Sequence, residues 1–391
     1  MNTSLLHTAV QNFININLKT DITKLILKGS PFEQVSIQEI ASQIEAKKKC
    51  EKKLPTWFQT KNIYFPNKLN IEQTSSEITA NYKSKLVTGN SLIDITGGFG
   101  VDAFYFSKHI KNVTHCELNT NLQQIVAHNI KALQIENIKT FAGDGLEFLK
   151  NESQIYNWIY VDPSRRSDTK ERVFLLKDCL PNVPENLDLL FEKSDAILLK
   201  ISPILDISSA IQELKFVKKI HIVAVNNDVK ELLFILKKDF LGKIEIETIN
   251  FKTSTNQNFN FIFQSEAVAT YAEPKKYIYE PNAAILKAGA FNQISQQLKI
   301  DKLHQHSHLY TSNNLIQFPG RRFKIKHCIS YDKKLLKKLI PSKKANITTR
   351  NFPETVNQIR KKTGLKEGGN LYLFFTTNSK NNHVVLICEK V

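Results

Sequence analysis

The sequence predicts an α/β protein built on a doubly wound, Rossmann-like parallel sheet. Between about residues 91 and 264, apolar strand segments alternate with amphipathic helices, which is typical of a parallel sheet with helices on both faces. A glycine-rich turn at 97–100 follows the first strand, and an acidic residue follows each of four strands. Because the carboxyl ends of parallel strands meet at one edge of a sheet, these groups predict a single ligand pocket there.

Hydrophobic periodicity places the individual elements of this segment. The predicted strands are 91–96, 112–117, 138–143, 158–162, 195–201 and 219–225, and the predicted helices are 101–110, 120–134, 206–215 and 228–239. Two β-rich runs follow, at 244–251 and 259–264, and a polar link joins them. We interpret them as an antiparallel hairpin at the edge of the sheet.

Residues 1–75, which precede the sheet, are predicted to be helical. Ser36 and Glu39 form a capping box that begins one helix. Residues 74–77 (Thr-Ser-Ser-Glu) form a second one, which begins a helix carrying Lys83 toward the glycine turn.

Prolines near 274 and 281 mark the end of the α/β segment. We predict a helix near 282–298, a basic strand at 321–329, a Lys-rich helix at 332–339, and terminal strands at 371–376 and 383–389. The predicted domains are an N-terminal helical region 1–75, the α/β domain 76–270, a small α+β insert 271–318 and a basic module 319–391.

The positive charge is concentrated in that last module. The whole chain has a formal net charge of +17, and residues 319–391 hold 17 Lys and Arg against 4 Asp and Glu, a net of +13. A biased genome composition would not concentrate charge in one segment. We therefore predict a polyanionic partner, most simply nucleic acid, with a solvated lysine-rich face as the alternative.

Cysteine usage and hydropathy favour a reducing cytoplasm. The five cysteines are scattered and form no C-x-x-C pair, which argues against a disulfide framework or a zinc knuckle. No apolar run approaches the roughly 20 residues that span a bilayer, and no basic, then apolar, signal segment begins the chain. We expect neither a membrane segment nor a metal.

The glycine turn points to a nucleotide-like cofactor. Gly98 and Gly100 satisfy the pattern G-x-G-x-x-A, and Glu117 lies about 20 residues further on, where a ribose-binding acid is expected. The turn alone does not separate NAD from S-adenosylmethionine (SAM).

Three other acids favour SAM. Asp94 precedes the turn, where it can contact the ammonium of a methionine moiety but would repel the pyrophosphate of NAD. Asp144 lies where an acceptor can take the adenine amino group. Asp162 follows the strand beside the turn, where a transferred methyl group would face its acceptor.

The motifs at 72–83, 94–102, 162–166, 200–206, 319–322 and 349–353 carry a resemblance over nearly the whole chain. The sequence resembles class I SAM-dependent methyltransferases, and more closely a bacterial family that joins such a domain to a C-terminal THUMP-like module. The resemblance implies a ferredoxin-like insert before that module. It also implies that Asp94, Gly97, Glu117 and Asp144 bind SAM, and we assign to the same pocket Lys83, Thr96, Gly98, Gly100, Leu118 and Gly145.

The sequence departs from the usual methyltransferase motifs in two places. Thr96 stands in place of the first glycine of the turn, a substitution often found in methyltransferases of nucleic acids. In the fourth motif, Ser164 and Arg165 replace the second proline and the aromatic ring of Asp/Asn-Pro-Pro-aromatic. That departure argues against methylation of an exocyclic base amine.

THUMP modules bind RNA through its shape and backbone, so the resemblance implies tRNA or rRNA as substrate. The residues predicted to contact RNA are Arg166, Arg321, Arg322, Lys333, Lys334, Lys337, Lys338 and Arg350. The predicted reaction is in-line methyl transfer, with Asp162, Pro163 and Arg165 as catalytic residues and Asp162 accepting a proton or hydrogen bond from the nucleophile. The alternatives are a methyltransferase for a protein or small molecule, an RNA-binding protein with a degenerate pocket, and an NAD-dependent oxidoreductase.

Overall fold

The computed structural model of the protein describes residues 1–165 and 175–391. They divide into two units, the first comprising Met1–Lys218 with Leu233–Leu241 and the second Lys219–Leu232 with Gly242–Val391. Within the described residues, no helix is both long and apolar enough to cross a membrane.

In chain order the helices are α1 (Thr8–Ile16), α2 (Ile22–Lys28), α3 (Ile37–Lys53), α4 (Pro55–Gln59), α5 (Lys68–Gln73), α6 (Glu77–Ser84), α7 (Val101–Phe106), α8 (Thr120–Ala132), α9 (Gly145–Asn151), α10 (Val183–Lys193), α11 (Ile207–Glu213), α12 (Ala283–Ala288), α13 (Phe291–Leu298), α14 (Lys333–Leu339) and α15 (Val356–Thr363). The strands are β1 (Ser91–Asp94), β2 (Asn112–Glu117), β3 (Ile138–Ala142), β4 (Trp158–Val161), β5 (Ser164–Arg165), β6 (Cys179–Leu180), β7 (Ala196–Ile201), β8 (Val217–Val225), β9 (Asp228–Lys237), β10 (Glu245–Phe251), β11 (Gln257–Ile262), β12 (Tyr277–Pro281), β13 (Asp301–Lys302), β14 (Tyr310–Ser312), β15 (Gly320–Ser330), β16 (Asn346–Arg350), β17 (Leu371–Thr377) and β18 (His383–Lys390).

Five strands of the first unit pair in parallel in the order β7-β4-β1-β2-β3. From β1 the chain builds outward through β2 and β3 on one side and through β4 and β7 on the other. The order therefore reverses between β1 and β4, and such a switch point is where open α/β sheets bind ligands. All four residues of β4 are buried, as expected of a strand covered on both faces. This arrangement confirms the predicted doubly wound α/β fold.

The second unit contains the predicted edge hairpin, because β10 pairs in parallel with β8 and antiparallel with β11. A seven-stranded sheet follows, in the order β13-β14-β12-β15-β18-β17-β16. Helices α14 and α15 cover one end of it, where Leu336 and Ile359 pack in one core with Phe375 and Val385.

The predicted helix at 228–239 is wrong, because this segment is strand β9. Asn226 and Asn227 have φ angles of 52° and 67°, which is the geometry of a two-residue turn that reverses the chain into a second strand. The apolar run 232–236 is buried throughout. An unbroken apolar run has neither the helical nor the strand period, so its spacing does not distinguish the two structures.

Two smaller predictions also need correction. The single helix near 282–298 is two helices, because Gly289 adopts the left-handed conformation (φ 68°) and ends α12.

The capping box at Ser36 and Glu39 is confirmed by its two reciprocal hydrogen bonds. The one at 74–77 is wrong, since Ser76 caps α6 while the Glu77 carboxylate accepts hydrogen bonds from the Thr56 N–H at 2.6 Å and from a tyrosine hydroxyl of α7.

Candidate active site

A cleft of about 460 Å³ lies at the carboxyl ends of β1 to β4 in the first unit. Nine of the predicted site residues line it together: Asp94, Thr96, Gly97, Gly98, Glu117, Leu118, Asp144, Gly145 and Asp162. Three others lie beside it. Lys83 is buried behind the lining, Gly100 precedes the first residue of α7, and Pro163 lines a separate small cavity with Cys179 and Leu205.

The glycine turn lies directly on a buried histidine. Gly98 and Gly100 have φ angles of 55° and 77°, in the left-handed region that favours glycine. A Cβ atom on Gly97 would lie 2.2 Å from Nε2 of His115, so only glycine fits there. Burial lowers the pKa of His115 to about 4, which keeps its ring neutral at pH 7. The turn therefore needs its glycines for close packing as well as for its backbone conformation.

Two acids after neighbouring strands are held by backbone N–H groups. The Glu117 carboxylate accepts from the N–H of Gly98 at 2.8 Å and from that of Asn119 at 2.7 Å, and burial raises its pKa. Oδ1 of Asp144 accepts from the N–H of Leu146 at 2.7 Å and so caps α9. Asp144 is thus a helix cap whose side chain also faces the cleft.

Asp94 is the most deeply buried acid of the cleft, with 1% of its surface exposed. Its Oδ1 accepts hydrogen bonds from the N–H and the hydroxyl of Thr96 at 3.0 and 3.3 Å. Burial raises the pKa of Asp94 well above its usual range, and the negative charges of Asp102 and Asp162 raise it further. A cation bound beside Asp94 would favour its ionised form, whereas an anion would oppose it.

A buried polar network under the cleft went unrecognised in the sequence. Its centre is Asp102, whose Oδ1 forms an ion pair with the Lys83 ammonium at 3.1 Å, while its Oδ2 accepts from the Ser75 hydroxyl at 2.8 Å and the Tyr160 hydroxyl at 2.9 Å. Burial raises the pKa of Asp102, but the ammonium groups of Lys83 and Lys200 outweigh that effect and hold it below its usual value. Ser75, Asp102 and Tyr160 also line the cleft. The sequence motifs 72–83 and 94–102 contained Ser75, Lys83 and Asp102 but did not indicate that these residues pair.

Asp162 lies beside the glycine turn, where its backbone N–H donates to the Thr96 hydroxyl at 2.7 Å. Its carboxylate forms an ion pair with the Lys200 ammonium. Ser164 also lines the cleft, and Arg165 lies opposite Cys179 in the short β5–β6 ladder. Arg166, the other arginine of this motif, lies outside the described residues.

The residues predicted to contact RNA fall into two groups. Lys333, Lys334, Lys337 and Lys338 are exposed on α14, and in the described part of the chain no carboxylate pairs with any of the four. The predicted arginines are already engaged. Arg321 and Arg350 bind opposite oxygens of buried Glu280, and Arg322 donates to the Ile316 carbonyl at 3.4 Å. The arginines therefore have structural partners, and contact with RNA stays a prediction for all seven residues.

Among residues 1–165 and 175–391, no group of three or more His, Cys, Asp or Glu side chains could hold a metal ion. His308 stacks on Phe291 with ring centroids 3.6 Å apart. His304 accepts or donates hydrogen bonds with Asn381 and Asn351.

Comparison with known proteins supports the architecture. A ferredoxin-like domain model matches residues 277–319, and a model described as THUMP domain-like matches residues 320–390. A crystal structure from Porphyromonas gingivalis W83, of a protein assigned as a methyltransferase, shares 31% sequence identity. The match covers 100% of this chain and 98% of that one, with a TM-score of 0.88. No curated protein matches the chain.

Smaller proteins match only part of the chain. A Streptococcus mutans protein assigned as a methyltransferase, in complex with SAH, is 13% identical to this chain. The match covers 41% of this chain and 96% of that protein, with a TM-score of 0.31. TrmK from M. capricolum, in complex with S-adenosyl-homocysteine, is 15% identical, with 41% and 68% covered and a TM-score of 0.32. TM-scores this low do not establish a common fold.

Proposed function

Given that the chain belongs to the bacterial methyltransferase family with C-terminal ferredoxin-like and THUMP-like domains, we propose that it transfers a methyl group from SAM to RNA. The observation that supports SAM as the cofactor is a group of three acids at the switch point of the sheet. These acids, Asp94, Asp102 and Asp162, interact electrostatically.

Among these acids Asp94 favours a cationic cofactor, because Asp102 is already paired with Lys83 and Asp162 with Lys200. SAM carries an ammonium and a sulfonium, and either charge near Asp94 would favour ionisation of a carboxyl whose pKa is raised by burial and by its acidic neighbours. The pyrophosphate of NAD would add negative charge to the same group of acids. The residues present therefore fit SAM and disfavour the dinucleotide.

Each acid has a distinct part in this proposal. Asp94 would hold the ammonium, Glu117 the ribose hydroxyls, and the cleft-facing side of Asp144 the adenine amino group. When bound, SAM supplies a methyl group on a positively charged sulfur that leaves as a neutral thioether. The protein's own contribution is alignment in a site of low water content, together with acceptance of the nucleophile's proton at Asp162.

The lysine face of α14 supports RNA as the substrate. At 100° per residue, Lys333, Lys334, Lys337 and Lys338 span an arc of about 140° on the helix. Leu336, on the opposite side, anchors the helix in the core. Such a face provides several phosphate contacts, which hold an RNA without reading its sequence.

Two measurements test the proposal with the full chain. Calorimetry should detect binding of SAM and S-adenosylhomocysteine but not of NAD. Total RNA from cells that lack this protein should then become labelled when incubated with the chain and methyl-tritiated SAM. Tight NAD binding without SAM binding would contradict the cofactor. Labelling of protein or small molecules in the same extract, with RNA unlabelled, would favour another acceptor.

A further inference from the structure

We propose that the methyl acceptor is a hydroxyl oxygen, which in RNA is the ribose 2′-hydroxyl. This inference rests on the proposed function and deepens it by naming the chemical class of the acceptor. It is carried by the Asp162–Lys200 ion pair at the edge of the cleft.

The sheet itself brings these two residues together. In the parallel ladder of β4 and β7, Val161 is the partner of Leu199, so Asp162 and Lys200 follow at the carboxyl ends of adjacent strands. The Lys200 ammonium donates to Oδ2 of Asp162. The Lys200 side chain is 13% exposed, whereas that of Asp162 is 33% exposed. A substrate in the cleft therefore meets the carboxylate first, with a positive charge held directly behind it.

The charge of Lys200 acts on the cleft beyond this one contact. It is one of the two ammonium groups that lower the pKa of buried Asp102. Its side chain is mostly withdrawn from water, so screening by solvent is weaker than for a surface lysine. The cleft therefore has a mostly buried cation, the Lys200 ammonium, directly beside the Asp162 carboxylate that would face the nucleophile.

This arrangement distinguishes between acceptor atoms. A nitrogen acceptor becomes more positive as its bond to the methyl carbon forms, so an ammonium nearby would raise the barrier. A hydroxyl is a weak nucleophile until its proton begins to leave, and the negative charge that develops on its oxygen is stabilised by a nearby ammonium. A carboxylate paired with a lysine therefore suits oxygen and disfavours nitrogen.

Methyl transfer to the hydroxyl is a single displacement at the methyl carbon. The oxygen–carbon bond forms while the carbon–sulfur bond breaks, and the electron pair of that bond goes to sulfur, which becomes neutral. The hydroxyl proton passes to the Asp162 carboxylate and then to water. Lys200 remains an ammonium throughout and changes only the electrostatic energy of the oxygen.

The neighbouring positions support the same choice. Enzymes that methylate a base amine hold the flipped base by stacking it against an aromatic side chain. Here Ser164 and Arg165 occupy the positions of the second proline and the aromatic ring in such motifs. Beside Asp162, the described lining of the cleft continues with Ser164, Leu180 and Pro181. None of these three side chains is aromatic.

Alkaline hydrolysis of the labelled RNA tests the inference directly. A 2′-O-methyl group protects the adjacent phosphodiester from alkali, so the tritium should appear in alkali-stable dinucleotides. Tritium in mononucleotides, as a methylated base, would overturn the hydroxyl acceptor and leave RNA methylation standing. RNA that stays unlabelled by a chain that binds SAM would instead overturn the proposed function, and the inference with it.

Variants of Lys200 test its electrostatic role. In Lys200→Met we expect kcat to fall by about a hundredfold, with SAM affinity within a few-fold of wild type, and Lys200→Arg should retain more activity. Because the variant lacks the stabilising cation, its kcat should rise by up to about tenfold per pH unit as the pH increases. Lys215→Met, an exposed lysine of the same unit, is the control. Wild-type kcat and an unchanged pH profile in Lys200→Met would overturn the role.

Discussion

The ammonium nitrogen of Lys83 lies 3.1 Å from Oδ1 of Asp102, and the lysine side chain is completely buried. The same ammonium donates to the Ser75 hydroxyl at 2.9 Å, which in turn donates to Oδ2 of Asp102 at 2.8 Å. A buried ion pair is costly to desolvate, and hydrogen bonds to the remaining lone pairs offset part of that cost. The pair links α6 to α7, the helix that follows the glycine turn.

We therefore expect Lys83→Met to be strongly destabilising. Removing one partner leaves the other charge buried and unpaired, which costs about 3–5 kcal/mol in free energy of unfolding. The double variant Lys83→Met/Asp102→Leu should recover part of that loss. Urea titration of the two single variants and the double variant measures this coupling, with Lys85→Met, an exposed position after the same helix, as the control. Additive losses in the double variant would show that the pair is not coupled.

The Asp94→Asn variant should bind SAM at least about tenfold more weakly, or about 1.4 kcal/mol, because a charged contact to the ammonium is lost. In wild type burial raises the pKa of Asp94, and a cation bound beside the carboxyl favours loss of its proton. SAM affinity should therefore rise with pH in wild type and lose that dependence in the variant. Calorimetry over a pH series measures both effects, with exposed Asp188→Asn as the control. Equal slopes in the two proteins would remove Asp94 from the ammonium site.

For Asp162→Asn we expect loss of transfer with little loss of cofactor binding. This acid faces the nucleophile more than the cofactor, so its removal should lower kcat by about a hundredfold or more and leave the Kd for SAM within a few-fold. Single-turnover assays and calorimetry separate the two quantities. Parallel losses of binding and turnover would make Asp162 a cofactor ligand.

Neutralising the lysine face of α14 should weaken RNA binding without affecting SAM binding. In the variant Lys333→Gln/Lys334→Gln/Lys337→Gln/Lys338→Gln, each lost phosphate contact should flatten the dependence of log K on log salt by about 0.7–0.9. Fluorescence anisotropy with one RNA at several salt concentrations gives this slope. Lys24→Gln/Lys28→Gln, on an exposed helix of the first unit, is the control for loss of positive charge elsewhere on the chain. An unchanged slope in the fourfold variant would refute the role of this face.

His115 should make the fold sensitive to acid. Its folded-state pKa of about 4 lies below the ordinary value of 6.5, so the unfolded chain binds the proton first as the pH falls. The contribution of neutral His115 to the free energy of unfolding is complete above pH 6.5 and is lost as the pH drops toward 4. The loss reaches about 2 kcal/mol at pH 5. Unfolding of His115→Gln at pH 7.5 and pH 5 should show a smaller acid loss than wild type, and exposed His109→Gln serves as the control. Identical acid losses would mean that another group dominates.

Local sequence patterns predicted most of the α/β core. They failed where one pattern is compatible with both a helix and a strand. Strands β1 to β4 and β7 were predicted because apolar runs alternate with amphipathic helices. At 228–237 the apolar run is continuous, and only the turn at Asn226 and Asn227 indicated a strand. The predicted capping box that includes Glu77 failed for a related reason. Its sequence suits a helix cap locally, but the Glu77 carboxylate accepts hydrogen bonds from Thr56 and Tyr105, two residues distant in sequence.

The chemical groups at the strand ends follow directly from the sequence, because parallel strands bring their carboxyl ends to one edge whatever the details of packing. The pairing of charges depends instead on the packing of the folded chain. Asp162 and Lys200 are 38 residues apart, and Arg350 and Glu280 are 70 apart. Coulomb energies depend on distance and on local exposure to water, and both quantities are set by how elements remote in sequence pack together. For that reason the acids at the strand ends (Asp94, Glu117, Asp144 and Asp162) were predictable, whereas the pairing of Asp102 with Lys83 and of Asp162 with Lys200 was not.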